Sequence, residues 1–163
     1  MDGADRNSPA EPWLHIVLHQ PEIPQNTGNI GRTCVALGAK LWLVRPLAFR
    51  LDESRLKRAG LDYWDHLNWE AVDSWTELAD KIAGRLWLFT KSANTDFGTI
   101  QFQRGDAFVF GGETKGLPQT LLAAHSDSAI AIPMKGPVRS LNLASCVAVA
   151  GYEALRQCRD SPN

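Results

Sequence analysis

The chain has 163 residues, 44% of them hydrophobic, and a formal net charge of −1 at neutral pH. That length supports one domain with a sizeable core, and a charge so close to zero does not by itself announce a nucleic-acid binder, although a local basic patch can still hold a polyanion. No apolar run reaches the ~18–20 residues needed to cross a bilayer.

Residues 1–12, MDGADRNSPAEP, are polar and acidic, with no apolar segment of signal-peptide type, and are expected as a disordered lead-in to a single domain over 13–163. Trp13–His19 is a nearly continuous apolar strand, the pattern of a strand covered on both faces. A proline-bearing loop follows, then a helix predicted from about Thr27–Gly28 to a left-handed glycine cap at Gly38. Lys40–Pro46 is the second strand, Asp52–Ala59 a charged helical piece, and Tyr63–Trp69 a short extended segment. Ser74-Trp75-Thr76-Glu77 spells a capping box that opens a helix through Ala83, closed by Gly84. Arg85–Thr90 and Ala107–Gly111 are the third and fourth strands, and a helix starts after Pro118. The last strand is Ser128–Pro133, and the final helix runs from about Asn142 to Cys158 with small side chains on several faces. Strands alternating with helices predict an α/β domain with a mainly parallel sheet covered on both faces.

Three polar, glycine-bearing loops stand after buried strands: Gln25–Arg32, Gly111–Pro118 and Ile132–Asn142. The C-terminal edge of an open α/β sheet is where ligands bind, and a loop feeding a helix start offers backbone amides to a ligand. Each loop also holds a side chain that a turn does not need: Arg32, Glu113 and Arg139. Other chemistries fit poorly. Gly111–Gly116 has G-x4-G spacing, but Leu117 and Pro118 stand where a phosphate loop needs Lys and Ser or Thr. GNIGRT does not complete the glycine fingerprint of a nicotinamide site. His15 and His19 lie four apart on a strand with no acidic or cysteine partner nearby, which points to core or edge roles rather than to a metal. Cys34, Cys146 and Cys158 are odd in number, form no CxxC pair and follow no secretion signal, so reduced thiols in a cytoplasmic protein are expected.

NTGNIGR, FGGETKGLP and IPMKGPVRSLNLA, in this order and at these separations, resemble the three motifs of the SPOUT superfamily of RNA methyltransferases. Within it the chain is similar to the bacterial tRNA ribose 2′-O-methyltransferases that act on the wobble cytidine or uridine. The likeness runs from about Leu14 to Gln157 and includes PEIPQNTGNIGR and RLKRAGLDY. It implies a C-terminal deep trefoil knot, an obligate homodimer and S-adenosylmethionine as cofactor. No metal and no membrane are expected.

Residue by residue, the resemblance places the cofactor against Phe89, Gly111, Ile132, Ser140 and Leu141. It puts Arg32 nearest the reacting hydroxyl, with Asn26 and Glu113 shaping the site around it. Since a guanidinium keeps its proton, the role expected of Arg32 is to orient the hydroxyl or to stabilise oxyanion character. Arg58, Lys115 and Arg139 are the expected contacts to a tRNA anticodon stem-loop. Ser140 and Asn142 serve equally well as simple helix caps. Three other readings stand beside this one: methylation at another tRNA or rRNA position, a non-catalytic RNA-binding dimer with the same fold, and an unrelated α/β enzyme using a nucleotide.

Overall fold

The structure is a computed structural model in which residues 10–52 and 62–159 are described. The expected tail (residues 1–9 of it), most of the charged helical piece Asp52–Ala59, and Arg58 lie outside the described residues. Six strands form one sheet in the order β3-β2-β1-β5-β4-β6, and every pairing is parallel. They are β1 (Leu14–His19), β2 (Lys40–Val44), β3 (Trp69–Val72), β4 (Leu86–Phe89), β5 (Asp106–Phe110) and β6 (Ala129–Ile130). The helices are α1 (Pro24–Leu37), α2 (Trp75–Lys81), α3 (Gln119–Ala124) and α4 (Leu143–Cys158).

Continuous apolar strands divide their side chains between two cores. Leu14, Ile16 and Leu18 of β1 join Leu41, Leu43, Phe108 and Phe110 beneath α1 and α4. Val17 joins Trp42, Val44, Leu88 and Val109 beneath α2 and α3, where Leu78 and Leu121 close the layer. The mainly parallel α/β architecture expected from the sequence is therefore present, because period-2 alternation gives each strand two faces and both need cover. His15 takes the core role expected of it. The Trp42 Nε1–H donates to its Nδ1 at 3.0 Å, and burial, reinforced by Lys40, pushes its pKa down, so the ring stays a neutral acceptor.

Four elements differ from the expectation. The extended segment over Tyr63–Trp69 is a 3-10 turn at Asp62–His66, and Trp69–Val72 beyond it forms an edge strand on β2. Gln25–Arg32 is not a loop: it forms the first turns of α1, which begins at Pro24, where proline's missing N–H costs nothing. β6 is only two residues long. After Ile130 the chain leaves β4 and pairs with the segment that follows it, Ala131 N–H donating to the Thr95 carbonyl and Phe97 N–H to the Ala131 carbonyl. The helix after Ser74 stops at Lys81 rather than Ala83. Its capping box is also offset by one: Glu77 N–H donates to Ser74 Oγ, while the Glu77 carboxylate accepts from Asp73 N–H.

Local caps otherwise fall where the residues predict them. Gly38 closes α1 at φ 66°, a left-handed conformation that costs glycine little. α4 starts one residue after its predicted cap, Asn142. Its small face has a use in the fold, since a side chain at Gly151 would run into Leu37, so Gly151 lets α4 approach α1 closely. Beyond β4, the chain crosses the far end of α4. There Gln157 Nε2–H donates to the Ile100 carbonyl at 3.1 Å and its Oε1 accepts from Phe102 N–H at 2.8 Å.

Candidate cofactor cleft and the residues around it

The C-terminal ends of β1, β4, β5 and β6 open on one cleft of about 500 Å³, within the ~300–1,000 Å³ range of small-molecule sites. Phe89 and Phe110, at the ends of β4 and β5, line it with rings stacked 4.6 Å apart. Ile132, Leu117, Leu122 and Leu141 add apolar wall, while Thr90, Ser92, Lys91 and Lys115 add polar and basic groups. Among the described residues, no group of His, Cys, Asp and Glu could hold a metal ion.

The stretch after β5 folds back on itself, with Gly116 N–H donating to the Gly112 carbonyl at 2.9 Å. A methyl group on Gly111 would overlap the Gly116 carbonyl carbon and the Leu117 nitrogen. Only a glycine lets backbone meet backbone here, and the resulting cradle faces the cleft.

Two carboxylates clasp this stretch to the start of α1. Glu113 accepts from Glu22 N–H at 2.7 Å, Ile23 N–H at 3.1 Å and Asn26 Nδ2–H at 3.3 Å. In return, Glu22 accepts from Thr114 N–H at 3.2 Å and Thr114 Oγ1–H at 2.6 Å. The Thr114 bonds hold the Glu22 carboxyl below its usual range, so it stays charged. Glu113 thus satisfies donors at the entrance to a helix whose own N-cap residue, Ile23, has no side chain able to cap it.

The chain of bonds continues to α4. Asn26 must turn its NH2 toward the acceptor-only Glu113, which leaves its Oδ1 to accept from Asn142 Nδ2–H at 3.1 Å. Asn142 Oδ1 is then directed at the N–H groups of Ala144 and Ser145, at 2.9 and 3.3 Å. Both amide orientations follow from donor and acceptor chemistry alone. The open question about Ser140 and Asn142 is settled in favour of Asn142 as the cap, and Ser140 lines the cleft.

The expected site residues separate into two sets. Asn26, Phe89, Gly111, Glu113, Lys115, Ile132, Ser140 and Leu141 line the one cleft. Arg32 and Arg139 do not. Arg139 is exposed beside Ser140. Arg32 lies six residues beyond Asn26, about 9 Å further along the helix axis. It is exposed, with its guanidinium 5.3 Å from the centre of the Tyr63 ring. The hydrogen bonds of Asn26 and Glu113 run to the start of α1 and to α4, so these two residues hold the cleft together.

Sequence reasoning passed over Glu22, Thr114, Thr90, Ser92 and Met134, all at or beside the cleft, and read Cys146, also in its lining, only as a reduced thiol. Glu22 lay inside the motif stretch PEIPQNTGNIGR and was legible there as an acid beside a helix start. Met134 and Cys146 carried no signal apart from their neighbours.

The SpoU rRNA Methylase family matches residues 13–152. The tRNA (cytidine(34)-2′-O)-methyltransferase of Methylovorus glucosotrophus is 46% identical over 144 residues, covering 87% of this chain and 94% of the relative. A solved structure described as giving insight into the 2-OH methylation of C/U34 on tRNA is 47% identical, with a TM-score of 0.83, covering 90% of this chain and 97% of that one. The SpoU methyltransferase AviRb from Streptomyces viridochromogenes, solved in complex with the cofactor AdoMet, is 28% identical with a TM-score of 0.78. It is covered over 64% of its length and covers 100% of this chain.

Proposed function

The chain belongs to the SpoU methylase family, and from that premise we propose that it methylates the ribose 2′-hydroxyl of the wobble cytidine or uridine in the tRNA anticodon loop, with S-adenosylmethionine as donor. The observation that carries the reading is the convergence of residues spread from Asn26 to Leu141 on one cleft, in a chain nearly half identical to a wobble-cytidine methyltransferase.

The cleft fits the cofactor. Its aromatic and aliphatic walls at Phe89, Ile132 and Leu141 suit a purine, and the backbone of the Gly111–Leu117 cradle, which lines the cleft, would offer hydrogen-bonding groups to the ligand. When bound, S-adenosylmethionine supplies an electrophilic methyl group on a sulfonium. The protein contributes alignment and electrostatics. The Glu22–Thr114 and Glu113–Asn26–Asn142 bonds keep the walls in register. A guanidinium is a donor and not a base, so Arg32 orients the ribose hydroxyl and stabilises negative charge as that oxygen gives its proton to an RNA phosphate. Lys115 at the cleft and Arg139 beside it meet RNA phosphate, as does Arg58.

The active form in this reading is a homodimer, and the segment from β6 into α4 is threaded as a deep trefoil knot. Two exposed stripes support the pairing: Gln25, Asn29, Arg32 and Ala36 on α1, and Ser145, Val149, Tyr152 and Arg156 on α4. Val149 is 44% exposed and Tyr152 51%, so apolar surface remains uncovered on one chain. Arg32, outside the cleft of its own chain, stands in that seam. In support of the knot, the stretch after β4 pairs with Ala131 on one side and with Gln157 on the other. No helix among the described residues is long and apolar enough to cross a membrane, and an enzyme of tRNA with free thiols works in the cytoplasm.

The test is transfer of labelled methyl from S-adenosylmethionine to tRNA, with the modified ribose mapped. Arg32→Ala is expected to keep cofactor affinity by calorimetry and to lose most of its turnover, leaving a measurable residual rate. Salt-sensitive tRNA binding with no cofactor heat would instead make the protein a non-catalytic binder, and methylation mapped elsewhere would move the substrate.

A further inference from the structure

The motif around Arg32 has two glycines, Gly28 and Gly31, buried on α1. Glycine is a poor helix former, so its presence there asks for a packing reason. A side chain on Gly31 would come within 2.8 Å of the Trp64 ring and 3.2 Å of Leu67 Cδ2. Gly31 therefore admits the 3-10 turn Asp62–His66 close against the helix. That turn presents Tyr63, whose Oη–H donates to the Gly28 carbonyl at 2.6 Å. The same carbonyl is the i−4 acceptor for the Arg32 backbone N–H, and a carbonyl oxygen has two lone pairs to share. The phenol is thus tied to the helical turn that bears Arg32, and the Arg32 guanidinium lies 5.3 Å from the ring centre.

This arrangement differs in kind from an ion pair. A carboxylate partner would neutralise Arg32 and occupy its N–H groups. An aromatic face attracts the cation while leaving the N–H edge free. Among the described residues Arg32 enters no salt bridge.

We propose that Tyr63 is a positioning residue for methyl transfer, its ring holding the Arg32 guanidinium with all its donors open to a ribose oxygen and a neighbouring phosphate. The inference rests on the reading in which Arg32 meets the ribose. It explains Gly31 as the opening through which the platform reaches the helix.

The test compares kcat and KM, for both cofactor and tRNA, in the parent, Tyr63→Leu, Tyr63→Phe, Arg32→Ala and the Tyr63→Leu/Arg32→Ala double variant. Tyr63→Leu is expected to lower kcat about threefold to fivefold, the size of one exposed cation–π contact, with both KM values within about twofold of the parent. Tyr63→Phe keeps the ring, loses only the tether, and falls less far. In the Arg32→Ala background Tyr63→Leu costs nothing more. Equal losses in both backgrounds, or Phe as damaging as Leu, would overturn the proposal, because a purely structural tyrosine predicts those results. Arg32 Nε–H, assigned by its loss in Arg32→Ala, gives a readout independent of activity. Its ring-current shift is present in the parent and in Tyr63→Phe if the stack forms in solution, and its absence from both overturns the proposal even if Tyr63→Leu does not fold. A parent that shows the shift but transfers no methyl defeats the functional reading and leaves the stack in place. Activity unchanged in Arg32→Ala removes Arg32 from the reaction, and Tyr63 with it.

Discussion

Replacing Asn142 by alanine removes two supports at once, and the structure sizes each of them. The side-chain oxygen caps α4 through Ala144 and Ser145, and the side-chain nitrogen ties the helix start to Asn26. Loss of an asparagine N-cap costs about 1 kcal/mol, and loss of one neutral hydrogen bond about 1 kcal/mol. Asn142→Ala is therefore expected to lose about 2 kcal/mol, or about 4–8 °C in Tm for a domain of this size. Asn142→Asp separates the two supports. Aspartate caps a helix as well as asparagine does, but it turns an acceptor toward Asn26 Oδ1, so only the tie is lost and about 1 kcal/mol with it. The assay is urea unfolding at fixed protein concentration, with the slopes checked for equality. Asn142→Ala within about 0.5 kcal/mol of the parent, or Asn142→Asp falling as far as Asn142→Ala, would refute the assignment.

Gly111→Ala forces the Gly111–Leu117 backbone apart. At an overpacking cost of about 1–3 kcal/mol, calorimetry is expected to show S-adenosylmethionine bound about fivefold more weakly or worse. Glu153 on α4 is held down to about 2, from an ordinary 4.5, by its bonds with Arg156 and then Gln157. Its stabilising contribution is complete above the ordinary carboxylate range and is lost as the pH falls toward 2, so Glu153→Gln is expected to show a shallower loss of Tm across that window. Cys146 lines the cleft, whereas burial removes Cys158 from solvent and pushes the Cys34 thiol up to about 12. Maleimide is expected to modify Cys146 first, more slowly when S-adenosylhomocysteine is present, with Cys34 reacting only on unfolding.

Short-range chemistry was legible along the chain. Gly38, Ser74 and Asn142 act as caps on bonds to residues within a turn of themselves, and the apolar runs of β1, β2 and β5 declared a sheet covered on both faces. β3 is not legible in the sequence because Trp69–Val72 is a half-buried edge strand with a glutamate inside it, so its apolar pattern is broken. The start of α1 is hidden in the sequence because two glycines and two asparagines read as a turn. What makes them helical is an external cap from Glu113 and the close approach of Trp64 to Gly31.

Composition, local pattern and the three motifs thus determined the fold class, the ends of the last helix and many of the residues that share a cleft. Only the tertiary structure decided how those residues are employed. It turned Glu113 and Asn26 toward helix starts, and it set Arg32 on a tyrosine outside the cleft. The physical reason is separation along the chain. The bonds from Asn26 to Glu113 and to Asn142 span 87 and 116 residues, and they exist only once parallel strands have brought those segments to the same edge of the sheet.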